Sequence, residues 1–280
     1  MRHLLTALAL AAVVSAPAAA QSAADSPAPL VTAADADPDA SISPPEPDYT
    51  IISLPTALRL PRHGSAIRVT HRFARPLDGG FGDLAADLFG LDSGAQIGLE
   101  YRFGIVRNGQ VGFHRTSDKT IEFLGQYGVL RQSPRRPVDV TVLATIEGVD
   151  NFQDRFTPSL MAIVSRRFGD RVAVYAEPAW VHLAQLDLLE PEAADILVFG
   201  IGGRVRIWKA VSAAAEFSPR AGDEPIGTSH AAFAIEKQLG GHVFQLNVST
   251  TQATTMGQIA RGGAADRDWS LGFNISRKFF

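Results

Sequence analysis

Polar and apolar residues alternate along most of the chain. In the clearest stretch, 119–131, Ile121 and Phe123 fall on one face of an extended chain, with Glu122 and Gln126 on the other. Successive side chains of a strand point to opposite sides of a sheet, so this two-residue period predicts amphipathic β-strands. Helical periodicity is convincing only near the N-terminus and, briefly, at 83–91.

Turn signals divide the alternating region into segments of about ten residues, the length typical of a strand that crosses a membrane within a barrel. We predict twelve strands, at 65–74, 95–105, 109–117, 119–131, 137–147, 157–168, 171–182, 195–207, 210–218, 229–239, 242–251 and 267–280.

The connections between these strands alternate in length. Those after the second, fourth, sixth, eighth and tenth strands are short, whereas most of the others are long, and only the link near Ser117 breaks the rule. Tight turns at one end and long loops at the other are typical of outer-membrane barrels. The sequence therefore predicts an all-β fold, an antiparallel transmembrane β-barrel of about twelve strands. The short helical segment at 83–91 lies in its first long loop, and both termini lie on the periplasmic, short-turn side.

The N-terminal region has the features of an exported protein. Residues 1–20 combine a basic start, an apolar run and the small residues Ala18-Ala19-Ala20, which is typical of a signal peptide. Residues 21–48 are rich in Ala and Pro and hold six acids without Lys or Arg, which predicts a disordered leader. The chain has no cysteine, so no lipid anchor or disulfide is expected. The barrel domain is predicted at 49–280.

Charge excludes one class of partner. The whole chain has 26 basic and 29 acidic residues. Without the signal peptide and the leader it is nearly neutral, which gives no reason to expect nucleic-acid binding.

The C-terminal segment is also amphipathic. Trp269, Phe273 and Phe279 share an apolar face that Arg277 interrupts. The segment resembles the closing strand of bacterial outer-membrane barrels, which implies outer-membrane lipid and the barrel assembly machinery as partners. Aromatic residues near the predicted strand ends, Trp180 and Trp208 among them, resemble the interfacial girdles of such barrels.

The predicted inward faces carry more charge than a dry core tolerates. Two interpretations stay open: a salt-bridged plug, or a wet lumen that selects small solutes. The candidate lumen-lining residues are Arg68, Arg72, Glu100, Arg102, Glu122, Glu177, Arg204, Arg206, Glu216 and Glu236, with Glu147 at a further inward position.

Motifs for catalysis and metal binding are scarce. The chain has no His-Glu-x-x-His, Walker or Gly-x-Ser-x-Gly pattern, and its histidines lack metal-ligand spacing. His114, Ser117 and Asp118 are close in sequence and suggest a hydrolytic site, but spacing alone is weak evidence for a triad. We expect no enzyme activity, no catalytic residue, no metal and no cofactor.

Four runs carry a resemblance to a known family: Thr70-His-Arg-Phe73, Leu88-Phe-Gly-Leu-Asp-Ser93, Gly112-Phe-His-Arg-Thr-Ser-Asp-Lys119 and Ala176-Glu-Pro-Ala-Trp-Val-His182. They resemble a bacterial β-barrel family known only as a domain of unknown function in predicted outer-membrane proteins. The resemblance implies a barrel and an envelope location, and brings no functional residues. We therefore predict an outer-membrane barrel, either a porin-like channel or a structural envelope protein. The alternatives are a soluble periplasmic barrel that binds a small apolar ligand and an outer-membrane hydrolase.

Overall fold

The computed structural model describes residues 45–77, 94–183, 193–222, 227–263 and 269–280. The predicted signal peptide, the leader up to residue 44 and the predicted helical segment at 83–91 lie outside these residues. No helix in the described ranges is long and apolar enough to cross a membrane.

The described chain forms one closed antiparallel sheet. Apart from one short strand that pairs with a single neighbour, each strand pairs with the long strand before and after it, and the last strand pairs with the first over Ser65–Arg72, which closes the barrel. The strands are β1 (Ser65–Pro76), β2 (Ala95–Val106), β3 (Gly109–Thr116), β4 (Ile121–Leu130), β5 (Asp139–Val149), β6 (Asp154–Phe168), β7 (Val172–Leu183), β8 (Ala194–Trp208), β9 (Val211–Ser218), β10 (Arg220–Gly222), β11 (His230–Leu239), β12 (His242–Ser249) and β13 (Ser270–Phe279).

The short strand β10 continues β9 along the same neighbour. Both pair with β8, and Pro219 separates them because proline has no N–H to donate to the ladder. The carbonyl of Pro219 still accepts a hydrogen bond from the Phe199 N–H (2.9 Å). Because β9 and β10 together fill one position in the sheet, the barrel has twelve strand positions around its circumference, which confirms the predicted fold class and strand count.

The apolar faces point outward. Phe123, Leu160 and Phe233 are each about half exposed, while the alternating polar neighbour Glu122 is buried. A soluble barrel that binds an apolar ligand needs the opposite arrangement, so that alternative is wrong. Ions and amides inside and hydrocarbon outside are what a lipid-embedded barrel requires.

The two ends of the barrel differ in their connections. At one end, the short-turn end, the links between β2 and β3, β8 and β9, and β11 and β12 contain only two residues. The opposite end, the long-loop end, carries most of the long connections. Its links at 117–120 and 150–153 are four-residue turns, so the link after β5 is shorter than the sequence predicts.

A segment before β1 lies inside the barrel, where the sequence pattern gave no such prediction. Residues 45–64 enter from the short-turn end, turn around Ile51–Leu54 and return; we call 45–60 the lumen hairpin. Its arms are joined by a bridge between Thr50 and Pro55 and by a hydrogen bond from Thr56 N–H to the Tyr49 carbonyl (2.8 Å). Residues 45–48, which the sequence assigned to the disordered leader, belong to this buried hairpin.

A second insert enters from the long-loop end. Helix α1 (Met256–Arg261) follows β12, and its first five residues are buried. Thr255 caps its N-terminus by accepting a hydrogen bond from the Gln258 N–H (3.3 Å). The helix packs against the inner side of β5–β8. The inward side chains of β6–β8 include an apolar group, Met161, Ile163, Val181, Ile196 and Val198.

Candidate functional site

The candidate site is the barrel interior around the hairpin tip, residues 50–55. The tip backbone exposes N–H and C=O groups that no regular ladder satisfies, and buried polar groups of this kind need partners. Side chains on the inner wall supply those partners. The interior is therefore divided: a mainly apolar region on β6–β8 and a polar half on the remaining strands, β5 included.

Glu216 on β9 holds the turn of the hairpin. Its carboxylate accepts hydrogen bonds from the backbone N–H groups of Ile52 (2.9 Å), Ser53 (2.8 Å) and Leu54 (3.1 Å). The same carboxylate lies 2.7 Å from Nε2 of His230, and both side chains are buried. Successive N–H groups that converge on one anion form a strong, charge-assisted contact.

The carbonyl groups of the tip point to donors on the polar wall. Arg204 donates to the carbonyls of Thr50 (2.9 Å) and Ile51 (3.2 Å). Gln245 donates to the Ile51 carbonyl (2.7 Å), and Asn274 donates to the Ile52 carbonyl (2.8 Å). These wall side chains therefore form hydrogen bonds with the backbone of the tip and not with its side chains.

Arginines and glutamates of the wall also pair with one another. Glu100 pairs with both Arg68 and Arg102, and Arg204 pairs with Glu236. Arg68 in addition donates to the Thr50 hydroxyl (2.7 Å), so these pairs continue into the hairpin.

Nine of the ten residues predicted to line the lumen are buried inside the barrel. Arg206 differs, because it lies at the short-turn rim, is partly exposed and pairs with the exposed Asp170. The nine buried residues are Arg68, Arg72, Glu100, Arg102, Glu122, Glu177, Arg204, Glu216 and Glu236.

Glu177 on β7 has a different environment from the other buried carboxylates. Neither of its oxygens has a hydrogen-bond partner among the described residues, although the side chain is 1% exposed. It lies beside Gly200 on β8, with Leu54 of the hairpin tip packed over the same position. Burying an unpaired carboxylate costs free energy, so Glu177 destabilises the docked state of the hairpin.

The two arms of the hairpin are held near the short-turn end. The Ser276 hydroxyl donates to the Asp48 carboxylate (2.8 Å), and Arg59 forms an ion pair with Asp139. The Tyr175 hydroxyl donates to Glu46 (3.0 Å). Burial raises the pKa of the Glu46 carboxyl above its ordinary value, because the charged form loses its hydration.

The second insert, which contains helix α1 and which we call the outer insert, is anchored by two further glutamates. Glu147 accepts a hydrogen bond from the Thr255 hydroxyl and pairs with Arg261, and Glu122 accepts from the Met256 N–H (3.1 Å). The two inserts touch where the Ser53 hydroxyl donates to the Ala253 carbonyl (3.0 Å). Together they occupy the interior from both ends.

A cavity of about 490 Å³ opens beside the outer insert. Its lining includes the side chains of Gln96, Asp118, Thr251, Gln258 and Arg261. These amide, hydroxyl and charged groups of both signs can form hydrogen bonds and ion pairs with small polar molecules.

Ser117 and Asp118, two of the residues considered for hydrolysis, have hydrogen-bond partners other than His114. His114 is buried inside the wall, whereas the Ser117 hydroxyl donates to the Ala95 carbonyl (3.4 Å) and accepts from the Ile97 N–H (3.0 Å). The Asp118 carboxylate accepts hydrogen bonds from Thr116, Thr120 and Gln258. Within the described ranges no cluster of His, Asp and Glu side chains is arranged to hold a metal ion.

Comparison with known proteins supports a barrel of the outer-membrane type. The sequence model of one family, described as "Membrane bound beta barrel domain (DUF5777)", matches residues 48–279. No curated protein sequence matches the chain.

Solved structures with similar folds include membrane channels. The NanC porin superposes with a TM-score of 0.53 at 9% identity, over 77% of this chain and 98% of that chain, which shows a shared barrel fold. The COG4313 outer membrane channel from Pseudomonas putida F1 gives a TM-score of 0.43 at 9% identity, over 83% of this chain and 98% of that chain. LpxR from Salmonella typhimurium gives 0.38 at 11% identity, over 78% and 99% of the two chains.

Proposed function

The chain belongs to the family of membrane-bound β-barrel domains (DUF5777), and we propose that it is a porin-like outer-membrane channel that its own lumen hairpin holds closed at rest. In this proposal small polar solutes cross the barrel when the hairpin withdraws towards the short-turn end. Both termini lie on the periplasmic side, β13 is the strand that the assembly machinery recognises, and the protein is not an enzyme.

The observation that carries the proposal is the chemistry of the wall that contacts the hairpin. A permanent core is most stable when apolar, since buried ion pairs gain little over hydrophobic packing of the same volume. Here Glu216, Arg204, Asn274 and their neighbours are polar groups that water can satisfy equally well after the hairpin leaves. The uncompensated Glu177 gains hydration in the same step. The wall therefore suits both a docked hairpin and a wet passage.

The outer cavity supports the solute class. Asp118 and Arg261 lie on its lining together with amides and hydroxyls, so the vestibule accepts polar solutes of either charge. Beyond it, the interleaved Arg68, Glu100 and Arg102 present both signs along the polar half of the lumen. We therefore expect weak selection between anions and cations, in contrast to a channel lined by one sign of charge.

The second candidate function is a structural envelope barrel whose interior stays closed permanently. The dense hydrogen bonding between hairpin and wall favours it. The two functions predict different currents once the hairpin is loosened, so a conductance measurement separates them.

The test uses the full chain in planar lipid bilayers. The wild type should be mostly silent, and Glu216→Gln, which weakens the grip on the tip, should show stepwise openings. In the same background, Asp48→Cys/Ser276→Cys should form a disulfide from arm to wall, since the native side chains are in contact and the chain has no other cysteine. Oxidation should abolish the openings and a reductant should restore them, while Asp48→Cys alone should not respond to oxidant. A silent Glu216→Gln protein with a released hairpin would favour the structural barrel.

A further inference from the structure

The outer surface of the barrel carries one feature that the channel proposal does not use. The sequence places Arg277 on the otherwise apolar, lipid-facing side of β13. The structure confirms that Arg277 is exposed on the outward face, with its guanidinium 4.8 Å from the centre of the Phe279 ring. A charge on the lipid face costs little near the interface and more towards the bilayer centre, so its position close to the short-turn end is significant.

Two further polar side chains lie on the same outward face, one on the neighbouring strand β12 and one on the next strand, β11. His242 on β12 is its direct cross-strand partner, and Lys237 on β11 is paired with Phe244, two residues further along β12. Direct partners on a sheet face are about 4.5–5.5 Å apart and diagonal ones about 7–8 Å, so His242 lies between the other two, and the long side chains of Lys237 and Arg277 can both extend to one anion placed over it. His242 is oriented by stacking on Phe244 (ring centres 6.0 Å apart).

No acid balances these cations. The described outward positions of β11, β12 and β13 contain no Asp or Glu, and within the described part of the chain neither Lys237 nor Arg277 forms an ion pair. Glu236, the neighbour of Lys237, points inward and pairs with Arg204. The cluster is therefore a local excess of positive charge at the edge of the apolar belt.

An apolar groove begins at this cluster. Its volume is about 330 Å³, and it runs over the outward side of β11–β13 from Lys237 towards the middle of the barrel. Its outward-facing lining consists of Lys237 and the apolar side chains of Ile235, Phe244, Leu246, Phe273 and Ile275. A groove of this composition is complementary to a hydrocarbon chain.

We propose that this groove and its cationic end form a specific site for one anionic phospholipid, with an acyl chain in the groove and the phosphate at Lys237, His242 and Arg277. Arginine binds phosphate oxygens through parallel N–H groups, lysine adds a point charge, and the histidine ring adds a donor. Because the cluster lies at the short-turn end, the lipid belongs to the leaflet on that side. The observed combination matches the parts of a phospholipid: an anionic head at the interface and an apolar chain directed towards the bilayer centre.

Arg166 on β6 provides a matched control. It is also exposed, also faces outward near the short-turn end and also lies 4.8 Å from a phenylalanine ring, that of Phe168. Its cross-strand partner on β7 is Val174, and Val172 pairs with Phe168, so no second cation stands beside it on that strand. It therefore reports the effect of a single interfacial arginine without the cluster.

The experiment measures lipid retained by the full-length protein in vesicles of phosphatidylcholine and phosphatidylglycerol, with native mass spectrometry after detergent extraction. The wild type should retain phosphatidylglycerol in preference to phosphatidylcholine. Each of Arg277→Gln and Lys237→Gln should reduce this preference about fivefold, the effect of one cation near an anionic surface. Arg166→Gln should leave it unchanged. Lys237 lies outside the closing strand, so its variant keeps the test valid if Arg277→Gln assembles poorly.

A second arm tests the groove. Ile235→Trp should fill it while keeping the surface apolar and the cations in place, and should also lower phosphatidylglycerol retention. Glycerol phosphate, which has the head and no chains, should not displace the lipid. Equal retention of both lipids by the wild type, or equal losses in Arg166→Gln and Arg277→Gln, would each overturn the proposal.

Discussion

The grip of Glu216 on the hairpin tip can be tested by changing a single atom type. Glu216→Gln keeps the shape of the side chain and removes one of its two acceptor oxygens. In the native protein the carboxylate serves three backbone N–H groups and His230. An amide has one acceptor oxygen with two lone pairs, so it can accept from at most two of the three backbone N–H groups, and its contacts are no longer charge-assisted.

The expected loss follows from the number of contacts. A hydrogen bond to a charged group contributes about 1.5–3 kcal/mol, so one lost contact together with the weakening of the others costs about 3 kcal/mol. That corresponds to about a hundredfold increase in the population of the undocked hairpin. The fold of the barrel should be unaffected, because the strand pairing of β9 does not depend on this side chain.

Amide hydrogen exchange gives the most direct assay. The N–H groups of Ile52, Ser53 and Leu54 exchange only when the tip leaves Glu216, so their exchange rates report the free energy of undocking. All three should exchange about a hundredfold faster in Glu216→Gln, as converted above. Amides in the middle of β4 should keep their wild-type rates.

Glu177→Gln is the matched control, with the opposite expected sign. The same substitution is made in the same lumen, but at a carboxylate that has no hydrogen-bond partner among the described residues. A neutral amide is cheaper to bury than an unpaired charge, so the tip should exchange more slowly than in the wild type. If both variants accelerate exchange equally, the hairpin is responding to general damage of the interior, and the role assigned to Glu216 is refuted.

Three further predictions concern the wall, the lipid face and pH. Arg204→Ser should destabilise the protein by about 3–5 kcal/mol because it leaves the buried Glu236 without its ion-pair partner, whereas Arg206→Ser at the rim should cost about 0–1 kcal/mol. Chemical unfolding in detergent measures both free energies. Equal costs would contradict the assignment of Arg206 to the rim. Phe123→Arg should cost about 2–4 kcal/mol by the same measurement in bilayers, and a larger cost for Glu122→Gln would contradict the outward register of β4. Because burial raises the pKa of Glu46, the docked hairpin binds the carboxyl proton of Glu46 more tightly than the undocked, hydrated hairpin does. Docking should therefore strengthen as pH falls and weaken as pH rises through the docked-state pKa. Glu46→Gln should reduce the pH dependence of amide exchange at the hairpin tip.

The strands were predictable because the two faces of the barrel wall have different surroundings, lipid on the outside and the protein interior on the inside. Where the inner side is polar, as on β4, strict alternation fixes both the strand and its register, and Phe123 and Glu122 lie as predicted. On β7 and β8 the pattern is weaker because most inward positions are also apolar, apart from Glu177 and Arg204: this inner face contacts helix α1 and the hairpin. The sequence of these strands therefore predicts a strand but not what lies inside it.

The two inserts were missed for a physical reason. Helix α1 has six residues, fewer than two turns, so no helical period develops; its cap Thr255 and the following Gly262 were the only local signals. The hairpin has no alternation because it is surrounded by protein on all sides. Its signal was the change in composition at Tyr49, where an acidic, Pro-rich stretch gives way to the run Ile51-Ile52-Ser53-Leu54, which residues 55–64 separate from the first strand.

The location of the hairpin also constrains the order in which the molecule is built. Its tip is only about a dozen residues from β1 in sequence, yet the Ile52 backbone bonds to side chains 164 and 222 positions away, on β9 and β13. These partners surround the tip only after β13 has joined β1, and contacts so distant in sequence form late. Docking of the hairpin therefore completes after the cylinder has closed. A protease added during refolding should cut the hairpin in barrels that are still open at the β1–β13 seam and leave it intact in barrels that have finished assembly. Cleavage of the hairpin therefore reports how far assembly has progressed.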